Sequence, residues 1–195
     1  MLRRTCVLLV ACSGLAASGC GAAFTHPLSD ADSSVVDERL LGRWIKVDAN
    51  ANETPTGDGT TILRDDAAPN VLRFDSGGMS KTTKKPDYFR LYCTKIGDRH
   101  VLSILPPHEE EEAYAVAAYD FIDDDTLRLS GPSLSLLEQA IKDAKLQGKV
   151  DEGGAFRPKN VRITSEADAV RTFIEENAAT FFEPINEFTL RRVPD

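Results

Sequence analysis

At 195 residues, with 23 Lys and Arg against 31 Asp and Glu and a net charge of −8, the chain suits one domain with a sizeable core. The acid excess excludes nucleic acid as a partner, because a phosphate backbone demands a basic footprint, and argues against charge-driven binding to anionic lipid. Cys6, Cys12 and Cys20 crowd the N-terminus and leave Cys93 alone in the body, which excludes a disulfide framework.

Met1-Leu2-Arg3-Arg4 is a short basic start, Thr5 to Leu15 an apolar run, and Ala16-Ala17-Ser18-Gly19 a small-residue stretch ending at Cys20. That order is a secretory signal over residues 1–19, too short for a transmembrane span. The junction Ala17-Ser18-Gly19-Cys20 resembles the lipobox of bacterial lipoproteins, although Ala17 stands where that family more often has Leu. The resemblance implies cleavage before Cys20 and a diacylglyceryl and palmitate-type anchor on its thiol. Leu9-Val10-Ala11-Cys12 fits the box residues better but leaves too short an apolar run before it, so Cys20 is preferred; unlipidated secretion with cleavage near Ala22-Ala23 is the other alternative. A partner membrane would then be reached through acyl chains, several of which anchor stably where one does not. Gly21, where lipoproteins kept at an inner membrane often carry Asp, favours the outer membrane if the host has two.

Residues 20–38 read as a flexible tether, since His26-Pro27 and Ser29-Asp30-Ala31-Asp32-Ser33-Ser34 are short polar residues without periodicity. The domain is expected over 39–195. Short β-like runs follow at Leu40–Val47, Thr60–Arg64, Asn70–Asp75, Tyr88–Ile96, His100–Leu105, Ala113–Ile122, Thr126–Ser130, Val161–Thr164 and Glu187–Val193. Gly97-Asp98 and Asp123-Asp124-Asp125 are hairpin turns, whereas Asp48–Gly59 and Ser76–Pro86 are longer loops. Strands at this spacing predict a mainly β fold, an antiparallel barrel or sandwich.

Two helices interrupt the series. Ser135 and Glu138 suggest a capping box, with Leu137, Ala140, Ile141 and Ala144 as an apolar stripe and Gly148 as the stop. Ser165 and Asp168 suggest a second box, ahead of Val170, Phe173, Ile174 and Ala178. One apolar face each predicts that the helices pack on the barrel or cap one end.

Gly42-Arg43-Trp44 on the first barrel strand resembles the Gly-x-Trp signature of lipocalins and related calycins. The resemblance implies an eight-stranded barrel whose closed end is crossed by Trp44. It also implies an arginine from the last strand against that ring. Alternation along Phe188-Thr189-Leu190-Arg191-Arg192-Val193 makes Arg192 the candidate, a cation–π contact of ~1–2 kcal/mol when desolvated. The likeness covers the two ends of the domain and the strand count. Its middle departs, with no Thr-Asp-Tyr-type motif and with two helices where a lipocalin has one.

No nucleophile elbow, phosphate loop, zinc spacing or dinucleotide fingerprint occurs, so no cofactor or catalytic residue is expected. His108-Glu109-Glu110-Glu111-Glu112 and the Asp120, Asp123, Asp124, Asp125 group are read as solvated acidic turns, since neither matches a metal-ligand spacing. Lys81, Lys84 and Lys85 form a basic loop. Cys93 shares a strand face with Phe89 and Leu91 and reads as a buried thiol. Phe89/Leu91, Leu102/Ile104 and Ala115/Ala117/Tyr119/Phe121 would line the barrel, with the two alanines leaving space for a small apolar ligand. The foremost expectation is a non-catalytic interaction or structural module meeting another envelope protein; ligand binding is the alternative, and an enzyme with an unrecognised site the third.

Overall fold

A computed structural model describes residues 21–47, 59–75, 88–107, 113–154 and 159–194, the side chains of 184–188 excepted. Eight strands close into an antiparallel barrel: β2 (Gly42–Val47), β3 (Thr60–Asp65), β4 (Ala68–Asp75), β5 (Phe89–Ile96), β6 (Arg99–Leu105), β7 (Ala115–Asp123), β8 (Thr126–Pro132) and β11 (Phe182–Arg192). Neighbours in sequence are neighbours in the barrel, and β11 closes it by pairing with both β8 and β2. The chain thus runs up and down, each barrel strand pairing with two neighbours.

Three short turns, at 66–67, 97–98 and 124–125, gather at one end of the barrel together with the start of β2 and the finish of β11. Gly97 supplies the left-handed conformation its tight turn requires (φ 56°). At the opposite end β2, β4 and β6 finish and β3, β5 and β7 begin. The loops expected over 48–58 and 76–86 and the His108–Glu112 run fall outside the described residues.

Alternation sorts the strands into two cores. Inward residues, among them Trp44, Ile62, Leu72, Leu91, Cys93, Leu102, Ala117, Tyr119 and Leu127, fill the barrel. Outward residues Val101, Val116 and Ala118 are as buried as their inward neighbours, because a second layer covers this flank. Strand β6 is therefore apolar on both faces at Val101-Leu102, where a half-solvated strand would alternate.

The covering layer is a three-stranded sheet of β1 (Gly21–Phe24), β10 (Asn160–Ile163) and β9 (Gly148–Asp151), with two helices, α1 (Leu134–Lys142) and α2 (Ala167–Glu176). The helices pack on the barrel flank as expected, burying Leu137 and Ala140 from α1 and Val170, Phe173 and Ile174 from α2. Their ends differ from the sequence reading. Ser133, not Ser135, caps α1: its Oγ accepts the Leu136 N–H at 3.3 Å. The helix stops at Lys142, and Gly148 instead opens β9, with Ala144 left at φ 57° outside the stripe. Ser165 does not cap α2; its Oγ accepts the Gln147 N–H at 2.7 Å and ties the two halves of the layer together.

The segment read as a tether is part of the fold, and this overturns that expectation. β1 pairs in parallel with β10, from Gly21 opposite Asn160 to Phe24 opposite Ile163. Phe24 also exchanges backbone hydrogen bonds with Tyr114, and Leu28 is fully buried. The reason lies in a gap in the barrel wall. β4 and β5 pair only from Leu72 opposite Leu91 to Phe74 opposite Phe89, so the rest of β5 lacks a partner on that side. Residues 29–35 take β4's place: Val35 N–H donates to the Cys93 carbonyl at 3.1 Å, and the Ser34 hydroxyl accepts the Cys93 N–H at 2.9 Å. The serines that looked like linker chemistry satisfy buried backbone.

Candidate functional site

Trp44 is completely buried where β2 enters the barrel, and its indole N–H donates to the Leu40 carbonyl at 2.8 Å. Leu40 closes a 3-10 turn, Glu38–Leu40, that crosses this end and puts its own side chain into the barrel core. Arg192 pairs with Trp44 across β11 and β2, and its guanidinium carbon lies 4.4 Å from the indole centroid. Its Nη1 donates to the Leu41 carbonyl at 2.6 Å and its Nη2 to the Arg39 carbonyl at 2.5 Å, so one side chain stitches the turn to the last strand. Gly42 makes room for this. A Cβ there would lie 2.8 Å from Arg192 Nη1, and its φ of +124° belongs to glycine. Gly42, Trp44 and Arg192 thus form one closure.

The eight residues expected to face inward all belong to the barrel core. Leu91, Leu102, Ile104, Ala117 and Tyr119 are buried, whereas Phe89, Ala115 and Phe121 are half-buried. At the Trp44 end Leu40 and Trp44 have no exposed surface, and the half-buried Phe121 is tilted against Trp44 at 6.3 Å. Toward the opposite end Phe74, Phe89 and Ala115 keep part of their surface accessible, the two phenyl rings meeting edge to face at 5.6 Å.

Beside the Trp44 closure lies a recess of about 390 Å³ between the Val35–Arg39 stretch and strands β5 to β7. Tyr119 and Cys93 form its floor. The Tyr119 hydroxyl lies 3.4 Å from the Asp37 carboxylate, and the His100 ring stacks on the phenol at 5.3 Å. Arg39 grips Asp37 through Nε at 3.0 Å and Nη2 at 2.7 Å while its guanidinium covers Phe121 at 4.4 Å. Burial alone would raise the Asp37 carboxyl, but the hydrogen bonds and charge of Arg39 outweigh it and hold it below the usual carboxylate range. Burial pushes the Cys93 thiol up to about 11, which removes its thiolate at neutral pH. Tyr119 is raised in the same way, by burial first and then by the neighbouring Cys93 and Asp37 charges.

Sequence reasoning placed Tyr119 and Cys93 on the inner face but missed their partners. Asp37 lies in the stretch assigned to the tether, Arg39 at the first position of the expected domain, and His100 at the start of an expected strand. No local pattern marks them, because the 3-10 turn that brings them there is set by the chain's path across the barrel end. Among the described residues no group of three or more His, Cys, Asp or Glu is placed to hold a metal ion. Asp123 to Asp125 form the β7–β8 turn, where the Asp123 carboxylate accepts the Asp125 N–H at 2.9 Å. Cys20 and the Lys81–Lys85 run lie outside the described residues. Compared with protein-family models, curated proteins and solved structures, the chain matches none.

Proposed function

We propose that the protein is an exported lipoprotein of the bacterial cell envelope, anchored through Cys20, whose lipocalin-like barrel acts as a non-catalytic interaction or structural module. The observation that carries the module reading is the double core. One is sealed by Trp44 and Arg192, the other welds helices and a small sheet onto the barrel flank, and much of the interior is spent on packing. What remains to meet another envelope protein is the outer surface. The Gly-x-Trp and arginine pairing supports the lipocalin comparison, since the contact that family implies is the one found here at 4.4 Å.

The anchor reading rests on the signal-like N-terminus and gains a geometric consequence from β1. Gly21 follows Cys20 directly and already pairs in a sheet, so acyl chains on Cys20 hold the folded body against the bilayer without a spacer. Mass spectrometry of the N-terminal peptide together with membrane fractionation tests it. Lipidated Cys20 and a Cys20→Ser variant that moves to the soluble fraction are expected; unmodified Cys20 in the membrane fraction would overturn it. The outer membrane is the expected fraction in a host with two.

Binding of a small apolar molecule within the barrel is the second reading, favoured by the part-accessible Phe74, Phe89 and Ala115. Native mass spectrometry of protein purified from its host tests it. A retained apolar ligand that is lost on Ala115→Trp supports it, and ligand-free protein argues for the module alone.

A further inference from the structure

The recess beside the Trp44 closure has a charge balance that its own residues leave incomplete. Two acids stand on its rim, and each already has a cation: Asp37 is gripped by Arg39, and Glu38 pairs with Arg64. Arg39 is doubly committed, to Asp37 and to the Phe121 ring. Lys95 and His100 are different. Both line the recess, and neither has a hydrogen bond or ion pair among the described residues. The recess therefore presents an ammonium without an ion pair and, stacked on Tyr119, an imidazole whose nitrogens carry no hydrogen bond among the described residues, while Asp37 and Glu38 each have an arginine.

Its apolar side is equally unfinished. Val35 is 71 % exposed, an unusual state for a β-branched residue whose backbone is fixed to β5, and Val36 beside it is half-buried. The volume, about 390 Å³, falls at the small end of ligand pockets and suits a molecule of modest size. Two single-point donors, with no free guanidinium fork, match one carboxylate better than a phosphate, whose three oxygens call for more donors.

We infer that this recess binds a small amphipathic carboxylate, its head between Lys95 and His100 and its apolar body over Val35 and Val36. The site lies at the end of the barrel remote from Phe74, Phe89 and Ala115, so it is separate from a ligand in the barrel itself. It is also independent of the lipid anchor.

Hexanoate is the probe, titrated into the exported full chain carrying Cys20→Ser, with hexanol and inorganic phosphate as comparisons and amide and side-chain NMR shifts as readout. Saturable binding is expected, with the largest shifts at Val35, His100 and Tyr119. Lys95→Gln and His100→Gln each weaken it about tenfold, Val35→Asp abolishes it, and Ala115→Trp leaves it unchanged. These substitutions lie at exposed or part-exposed positions, and unchanged circular dichroism verifies the fold. No saturable binding, binding indifferent to Lys95→Gln and His100→Gln, or binding lost on Ala115→Trp overturns the inference. Equal affinity for phosphate or for hexanol also overturns it, since either would show that head and body are not read together.

Discussion

Replacing Trp44 by Ala tests the closure on which the barrel depends. The side chain has no exposed surface, so truncation removes a large apolar group and leaves a cavity among Leu40, Phe121 and the Arg192 guanidinium. Truncations of this kind cost ~3–5 kcal/mol. The lost cation–π contact, ~1–2 kcal/mol when desolvated, and the Leu40 carbonyl left without its donor at 2.8 Å push toward the upper end. We expect a loss of ~4–5 kcal/mol. With a urea dependence of ~2 kcal/mol per molar, the midpoint falls by ~2 M. Since Trp44 is the one tryptophan of the chain, its fluorescence cannot report on the variant, and far-UV circular dichroism is the assay. Trp44→Phe, which keeps a ring under Arg192 but loses the N–H, is expected to cost about half as much. A double-mutant cycle of Trp44→Phe with Arg192→Met isolates what remains of the pairing. A loss within ~0.5 kcal/mol for Trp44→Ala would show that the ring is not packed as described and would undercut the lipocalin comparison with it.

Gly42→Ala is expected to destabilise by ~1–3 kcal/mol, because its Cβ would meet Arg192 Nη1 at 2.8 Å and its φ is +124°. Gly97→Ala, at a turn with nothing within 4 Å, should cost about 1 kcal/mol or less, and equal costs in chemical denaturation would refute the steric argument. Asp37 has a folded pKa held below its unfolded value, so its contribution is present above about pH 4 and fades as pH falls through the folded value. Asp37→Asn should flatten the acid limb of stability below about pH 4, and an unchanged limb would count against the Arg39 pairing. Cys93 runs the other way. With the folded thiol at about 11, its contribution is complete below the unfolded value near 9 and is lost as pH rises toward 11. Thiol reagent at pH 8 should therefore modify Cys93 only as fast as the protein unfolds, and rapid labelling of the native protein would contradict its burial.

Much of the barrel was legible in the chain. Seven of its strands sit within a few residues of the periodic runs that announced them, because a period of two with one buried face writes itself into the residues. Arg192 rather than Arg191 followed from the same alternation, and the register that sets Arg192 opposite Trp44 agrees. Prediction failed where an element's partners lay far along the chain. β9, with Gly148 and Asp151 at its ends, has no apolar run, and it is a strand only because β10 lies beside it. Ser29 and Ser34 look like linker residues until the unpaired stretch of β5 gives their hydroxyls work to do.

By itself the sequence determined which side chains share a strand face and where the tight turns at Gly97-Asp98 and Asp123-Asp124-Asp125 fall, local consequences of side-chain alternation and turn chemistry. That Trp44 and Arg192 meet at one end was implied by the family resemblance. Tertiary structure alone decided that residues 21–35 belong to the wall and the outer layer, and that Asp37, Arg39, His100 and Tyr119 converge on one recess. Those outcomes follow from a gap between β4 and β5 that must be filled and from the path the chain takes to fill it. The recess itself exists only once four separate stretches of chain have met.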